Sequence, residues 1–444
     1  HLGGDQMSER SSSVLVSVVI PVHDAAEYIS DTLSSILSQS LQDIEVIIID
    51  DNSADDTLKL LQSFAANDSR IRLLNNSQNI GAGASRNMGL KIASGEYIIF
   101  LDDDDYADAN MLKRMYDHAA LLQADVVICR CQSLDLQTHS YAPMPWSVRV
   151  DLLPQKELFS SDEITHNFFD AFIWWPWDKL FRRQAILDTG LQFQDLRTTN
   201  DLFFVSAFML LTKKMAFLDE ILISHSINRS GSLSVTREKS WHCALDALRA
   251  LYSFIDSKHL LPSRGRDFNN YAVTFLEWNL NTISGPAFDS LFTASREFIA
   301  SLDIDESDFY DDFIKAAHYR LIRLTPEEYL FSLKDRVLHE LESSNLSSEK
   351  LQASIASQDQ VLKAREEEID ELRASVAQKK ERIDRLVQRN AYLETEYQKQ
   401  QDQLTKLQNE LNNAAQRYSA LISSLSWKVT RPLRLIKALI VKKM

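Results

Sequence analysis

Three apolar runs in the first hundred or so residues each lead directly into carboxylates. Val16-Ser17-Val18-Val19-Ile20-Pro21-Val22 precedes His23-Asp24. Ile44-Glu45-Val46-Ile47-Ile48-Ile49 precedes Asp50-Asp51, and Tyr97-Ile98-Ile99-Phe100-Leu101 precedes Asp102-Asp103-Asp104-Asp105. Near-continuous β-branched runs bounded by polar residues read as strands buried on both faces, the pattern of a parallel sheet covered by helices. The segments between them carry a helical period. Ala25 to Gln39 spaces Ile29, Leu33, Ile36 and Leu37 for one face, and Asp55 to Ala66, Ala82 to Ala93 and Met111 to Leu122 read as further helices. Ser53 with Asp56 three residues on has the capping-box arrangement. Short strands at Ile71 to Leu74 and Ala124 to Arg130 complete an α/β alternation.

Like charges packed side by side repel, so the run Asp102 to Asp105 is either a solvated acidic loop or a site for a divalent cation, which takes hard oxygen ligands. Its place at a strand end favours a site, because open α/β sheets bind ligands at the carboxyl ends of their strands. Asp50 and Asp51 occupy a second such end. Asp55 and Asp56 have a sufficient structural role in a first helical turn. The segment Asn79-Ile80-Gly81-Ala82-Gly83-Ala84-Ser85-Arg86-Asn87-Met88-Gly89 is a poor dinucleotide fingerprint. Arg86 stands at the third glycine position and the segment follows the third strand, which excludes a nicotinamide oxidoreductase. A helix N-terminus near Arg86 still suits an anionic ligand. Asp201, in Asn200-Asp201-Leu202-Phe203-Phe204, reads by itself as a helix cap.

In order and spacing these segments resemble the family 2 glycosyltransferases of the GT-A fold. The resemblance rests on Val19-Ile20-Pro21-Val22-His23-Asp24, Asp50-Asp51-Asn52-Ser53, Asn79-x-Gly81 with Ser85-Arg86-Asn87-x-Gly89, and Phe100-Leu101-Asp102-Asp103-Asp104-Asp105. Trp177-Asp178-Lys179-Leu180, Asn200-Asp201-Leu202-Phe203-Phe204 and Asn228-Arg229-Ser230-Gly231-Ser232 extend it over roughly Val14 to Ser234. It implies a Rossmann-like nucleotide-diphospho-sugar transferase domain. Pro21 and Asp51 would line the nucleotide pocket, with Asp51 reading the base, and Asn79 and Arg86 would close it. Asp102-Asp103-Asp104 occupies the DxD position, with Asp104 as ligand of Mn2+ or Mg2+ and Asp102 or Asp103 near the ribose. Asp201 matches the catalytic base of an inverting reaction, while Trp177, Lys179, Arg229 and Ser232 are candidate acceptor or phosphate contacts. Three departures stand out: Asn200 where the family usually has Glu, His23 after the first strand, and His225-Ser226 where an aromatic and an Arg are common. The implied donor is a nucleotide-diphosphate sugar, uridine first, and the implied acceptor a glycan or lipid-linked glycan of bacterial surface polysaccharide such as O-antigen or capsule. The contrasting reading is a coiled-coil scaffold with a degenerate transferase head.

The expected domains are a nucleotide-sugar half at 14–130, an acceptor half at 131–238, a helical extension at 239–340, a coiled coil at 341–425 and a basic amphipathic tail at 426–444. Leu351 to Leu425 contains no proline or glycine. It carries one seven-residue series through Ile355, Leu362, Ile369, Val376, Ile383, Asn390, Tyr397 and Leu404, and another through Leu351, Leu372, Leu386, Leu393, Leu407 and Leu421. These are a and d positions. Ile at a, Leu at d and a buried Asn390 favour a parallel homodimer, while Gln358, Arg365, Lys379 and Gln400 at d leave a trimer open. The tail holds Lys428, Arg431, Arg434, Lys437, Lys442 and Lys443 beside Trp427, Leu433, Ile436, Leu439 and Ile440, a pattern suited to an anionic membrane surface. A net charge of −15 argues against nucleic acid. Three cysteines without metal spacing, and no apolar run of spanning length, lead to the expectation of a cytoplasmic protein on the inner face of the membrane. His1 to Gln6, ahead of Met7, read as residues outside the native chain.

Overall fold

Three parallel strands pair side by side at the heart of the structure. In this computed structural model, which describes residues 14–229, 233–423 and 425–441, β1 (Val16–Val22) is flanked by β2 (Ile44–Asp50) on one side and β4 (Tyr97–Phe100) on the other. The third strand, β3 (Ile71–Asn75), extends the sheet beyond β2. Val22 lies opposite Asp50, and Val19 opposite both Ile47 and Phe100. The carboxyl ends of β1, β2 and β4 therefore meet at one edge, where the acidic runs begin.

Period-two alternation sorts the strand residues between two cores. Val18, Ile20, Val46, Ile48, Tyr97 and Ile99 face one core. There they meet α1 (Ile29–Leu37), α2 (Thr57–Asn67) and α4 (Met111–Leu122) through Leu33, Leu61 and Met115. Val19, Ile47, Ile49, Ile98 and Phe100 face the other, beneath α3 (Ala82–Ile92). Both faces of the strands are buried, as continuous β-branched runs require.

The second half of the domain adds β5 (Tyr106–Ala107), β6 (Val126–Asp135), β7 (Ser140–Pro143), β8 (Lys179–Arg182) and β9 (Met215–Ile227). The sheet runs β3-β2-β1-β4-β8-β6-β9-β5, with β7 on β6, and β8 is antiparallel to both neighbours. The strand expected to end at Arg130 continues to Asp135 through an irregularity between Cys129 and Cys131. Helices α5 (Arg183–Thr189) and α6 (Leu202–Leu211) lie between β8 and β9. The expected helical extension is α7 (Cys243–Ser257), α8 (Leu261–Leu280), α9 (Gly285–Ser301) and α10 (Asp312–Arg323), which pack into the second core.

The chain divides into two units, His1–Asp335 and Arg336–Met444. Helix α11 (Pro326–Ser423) covers the expected coiled-coil segment and α12 (Leu425–Val441) the basic tail. Leu386, Leu393, Leu404 and Leu407, on the heptad stripe of α11, are each more than half exposed. The expected heptad side chains from Leu351 to Ile369 lie outside the described ones, as do those of Trp427, Ile436, Leu439, Ile440, Lys442 and Lys443. Among the described residues no helix is long and apolar enough to cross a membrane.

Candidate functional site

The end of β2 presents Asp50 and Asp51, both buried. Asp51 is held by the loop that opens α3. Its Oδ1 accepts from Asn76 Nδ2 at 2.8 Å and the Ile80 amide at 2.9 Å, and its Oδ2 accepts from the Gly81 amide at 2.7 Å. Gly81 has φ +87°, where a side chain would be strained. Asn79 is exposed on the same loop, and its Oδ1 accepts from the Gly81 amide at 3.2 Å. Pro21 is buried in β1, opposite Ile49 of β2. The capping-box expectation for Ser53 gives way to different partners: Ser53 Oγ accepts from the Asp24 amide at 3.0 Å, and Asp55 Oδ1 accepts from the Thr57 amide at 2.9 Å.

Aromatic packing sets where Asp201 sits relative to the acidic run. Phe100 of β4 meets Phe193 at 4.8 Å and Phe204 at 5.9 Å, and those two rings stack on each other at 4.0 Å. Burying a ring of this kind stabilises by about 1.5–3 kcal/mol. Asn87 of α3 grips the backbone of Phe193 at two points, 2.8 and 2.9 Å. A Cβ on Gly83 would lie 2.1 Å from the Gln194 carbonyl oxygen, so that helix turn touches the segment directly. The segment leading to Asp201 is thus fixed to both β4 and α3. Thr199, two residues before Asp201, has φ +59°, and Asn52 and Asn228, beside Asp51 and Arg229, have φ +60° and +59°. Left-handed backbone at β-branched Thr199 is local strain of about 1–3 kcal/mol, held by its surroundings.

Arg86 joins the two sides. It is 5% exposed, and its guanidinium donates to Asn200 Oδ1 at 2.7 Å and to Asp102 Oδ1 at 2.5 Å. Loss of hydration lifts the Asp201 carboxyl to about 7, against the pull of Arg86 and with a further push from Asp102.

The three remaining aspartates are met by two cations, Arg229 and His225. Arg229 Nη1 lies 2.7 Å from Asp103 Oδ1 and 3.0 Å from Asp104 Oδ2, with its guanidinium 4.8 Å over the Tyr28 ring. Burial holds the Asp103 and Asp104 carboxyls above the ordinary range despite Arg229, aided by repulsion from Asp104 on the first and from Asp105 and Asp102 on the second. Asp105 Oδ1 pairs with His225 Nδ1 at 2.9 Å, while its buried Oδ2 has no hydrogen-bond partner among the described residues. His225 stacks on Trp177 at 4.9 Å. Burial opposes its protonation, but Asp105 overrides this and pushes the imidazole up to about 9.

The structure therefore brings Arg86, Asp102, Asp103, Asp104, Asp201 and Arg229 into one connected set. Two expected contacts stand apart. Lys179 is fully buried and donates to the Ile173 and Trp175 carbonyls and to Asp178, so its ammonium is occupied within the protein. Trp177 is 1% exposed and backs His225 instead of facing solvent. Ser232 lies outside the described residues. Tyr28 was not expected in the site, and His225 stood out only as a departure from the family pattern, without a role. A histidine within the mainly apolar run Ile221 to Ile227 was the signal for His225, and Tyr28 had none.

Residues 17–192 match the family described as Glycosyl transferase family 2. The uncharacterized glycosyltransferase EpsJ of Bacillus subtilis is 32% identical over 48% of this chain and 61% of its own length. Glycosyltransferase GlyG of Streptococcus pneumoniae is 30% identical over 52% of this chain and 76% of its own length. The chain thus spans less than two thirds of EpsJ but about three quarters of GlyG. A crystal structure of S. aureus TarS 1-349 in complex with UDP aligns with a TM-score of 0.43 and 18% identity, covering 72% of this chain and 92% of that one.

Proposed function

Because this chain belongs to glycosyltransferase family 2, we propose that it moves a sugar, with inversion, from a nucleotide-diphosphate donor to a glycan or lipid-linked acceptor of bacterial surface polysaccharide. A uridine donor is the first choice. The observation that carries this reading is Arg86, whose two ends bond Asp102 on the donor side and Asn200, the neighbour of Asp201.

Asp201 takes the proton of the acceptor hydroxyl. As that oxygen bonds to the anomeric carbon from one face, the bond to the diphosphate oxygen breaks on the other. A carboxyl near 7 suits a base working at neutral pH. Arg229, a guanidinium already among carboxylates, is suited to meet the charge growing on the leaving diphosphate.

The acidic run also fits a divalent cation, Mn2+ or Mg2+. Asp103 and Asp104 are hard oxygen donors whose negative charge exceeds that of the one guanidinium between them. Among the described residues no group of three His, Cys, Asp or Glu stands ready to hold a metal, so diphosphate oxygens would have to complete the shell around Asp104 and Asp103. The cation, when bound, would neutralise charge on the leaving group.

Around this head we place two further roles. The heptad stripe of α11 would pair with a second copy. The basic face of α12, where Lys428, Arg431 and Lys437 are exposed, would rest on anionic lipid at the cytoplasmic face, at about 1 kcal/mol per basic residue.

The test is turnover of a panel of nucleotide sugars with Mn2+ or Mg2+. Asp201→Asn should lower turnover by about 10²–10⁴-fold while leaving nucleotide binding nearly intact. Wild-type turnover in that variant would remove Asp201 from the role of base. Asp104→Ala should abolish metal-dependent transfer.

A further inference from the structure

One face of α8 carries Tyr271, Phe275 and Trp278, at i, i+4 and i+7. Their rings stack in series, Tyr271 on Phe275 at 5.4 Å and 15°, and Phe275 on Trp278 at 6.0 Å and 24°. Trp174 meets Phe275 edge-on at 5.9 Å and continues through Trp175 to Trp177 beside His225. The row is buried at its inner end. The Tyr271 hydroxyl has no hydrogen-bond partner among the described residues. Burial raises its pKa well above the usual value, with the carboxylates of Asp170 and Asp201 adding to the shift.

The outer end is not explained by packing. Trp278 is 45% exposed, and the Arg237 guanidinium stands 4.2 Å over its ring. Arg237 Nη1 donates to Thr282 Oγ1 at 3.3 Å, and no carboxylate lies within ion-pair distance of it among the described residues. Loss of hydration lowers its pKa with no opposing charge. A half-buried guanidinium without a countercharge attracts an anion, and an exposed indole attracts the apolar C–H face of a ring. Three residues on, Ser240 Oγ accepts from Thr198 Oγ1 at 3.1 Å, which ties this corner to the loop that leads into Asp201.

We propose that Trp278 and Arg237 form an outer subsite for an acidic sugar of the acceptor glycan. The sugar ring packs against the exposed part of the indole, and its carboxylate or phosphate meets the guanidinium. This rests on the glycosyltransferase reading and adds to it the charge class of the acceptor.

The test is calorimetric titration of the full-length protein with three probes: maltohexaose, a hexasaccharide of alternating glucuronate and N-acetylglucosamine, and phosphorylated mannopentaose. One of the two acidic probes should bind about tenfold or more tightly than maltohexaose, and which one does identifies the anion as carboxylate or phosphate. Arg237→Gln should erase that preference. Trp278→Ala should weaken the acidic probe by about tenfold. Titration of UDP on the same samples should give equal affinities for wild type and both variants. Equal binding of neutral and acidic probes, no binding of any probe, or variants that bind like wild type would each overturn the subsite. Failure of wild type to bind UDP would instead count against the donor reading, and leaves the glycan result legible.

Discussion

The guanidinium of Arg229 lies between the carboxylates of Asp103 and Asp104, 2.7 and 3.0 Å from their nearest oxygens. A divalent cation on the same carboxylates must displace it or share them with it. Metal should therefore bind weakly alone and more tightly with a nucleoside diphosphate, which offers Arg229 a new anionic partner. Arg229→Ala should raise the affinity for Mn2+ without nucleotide by about tenfold or more, since one charge at close range is worth several kcal/mol in a partly screened site. Manganese electron paramagnetic resonance reads this directly, and an unchanged affinity would show that the guanidinium does not compete.

The acid limb of activity should report Asp201. With its carboxyl lifted to about 7, kcat/KM should fall as pH drops below that value, approaching about tenfold per unit. The stability effect has a defined sign. Below the ordinary value of 3.8 the group is protonated whether the chain is folded or not. Above about 7 it is ionised in both states, and the fold carries the full penalty of a poorly hydrated charge. The penalty sets in between those limits as pH rises. Asp201→Asn should accordingly raise the melting temperature at pH 8 and leave it nearly unchanged at pH 3.5.

Gly83→Ala should cost both stability and turnover. The added Cβ meets the main-chain oxygen of Gln194 at 2.1 Å and Asn200 Cβ at 3.2 Å, so the segment carrying Asn200 and Asp201 must move. Overpacking of this kind costs about 1–3 kcal/mol. Gly265→Ala is the control. Its nearest neighbour is Leu261 Cδ2 at 3.8 Å, inside helix α8, where alanine is preferred to glycine by about 0.4–1 kcal/mol. Thermal melts of the two variants should shift in opposite directions.

The stripe on α11 should pair copies of the chain. Light scattering should give about twice the 50.8 kDa of one chain, and Leu386→Lys with Leu393→Lys should return it to one. A wild-type monomer would sink the pairing, and three times the mass would select the trimer.

Much of the first half was legible in the sequence because its strands are buried on both faces. Val16–Val22, Ile44–Asp50 and Tyr97–Phe100 read as strands from apolar runs alone. The second half was not, for physical reasons. β5 is two residues long, and β9 interrupts its apolar pattern with Asp219 and Glu220 while pairing β6 through an irregular register. In the site, Asp51, Arg86, Asp102 to Asp104 and Asp201 were singled out from motifs, but their partners were not. Nothing local in Tyr28 announces a ring under Arg229. Lys179 shows the converse, since its motif suggested a ligand contact and its ammonium is enclosed by main-chain oxygens.

Arg86 has a consequence that belongs to thermodynamics more than to chemistry. One side chain bonds Asp102 at the end of β4 and Asn200, the neighbour of Asp201. A donor that draws on Asp102 changes what Arg86 can give Asn200, and an acceptor that shifts Asn200 changes what Arg86 can give Asp102. Linkage requires the two effects to be equal, so each substrate would alter the affinity for the other by the same factor. Which binary complex predominates would then depend on each substrate's concentration relative to its own dissociation constant.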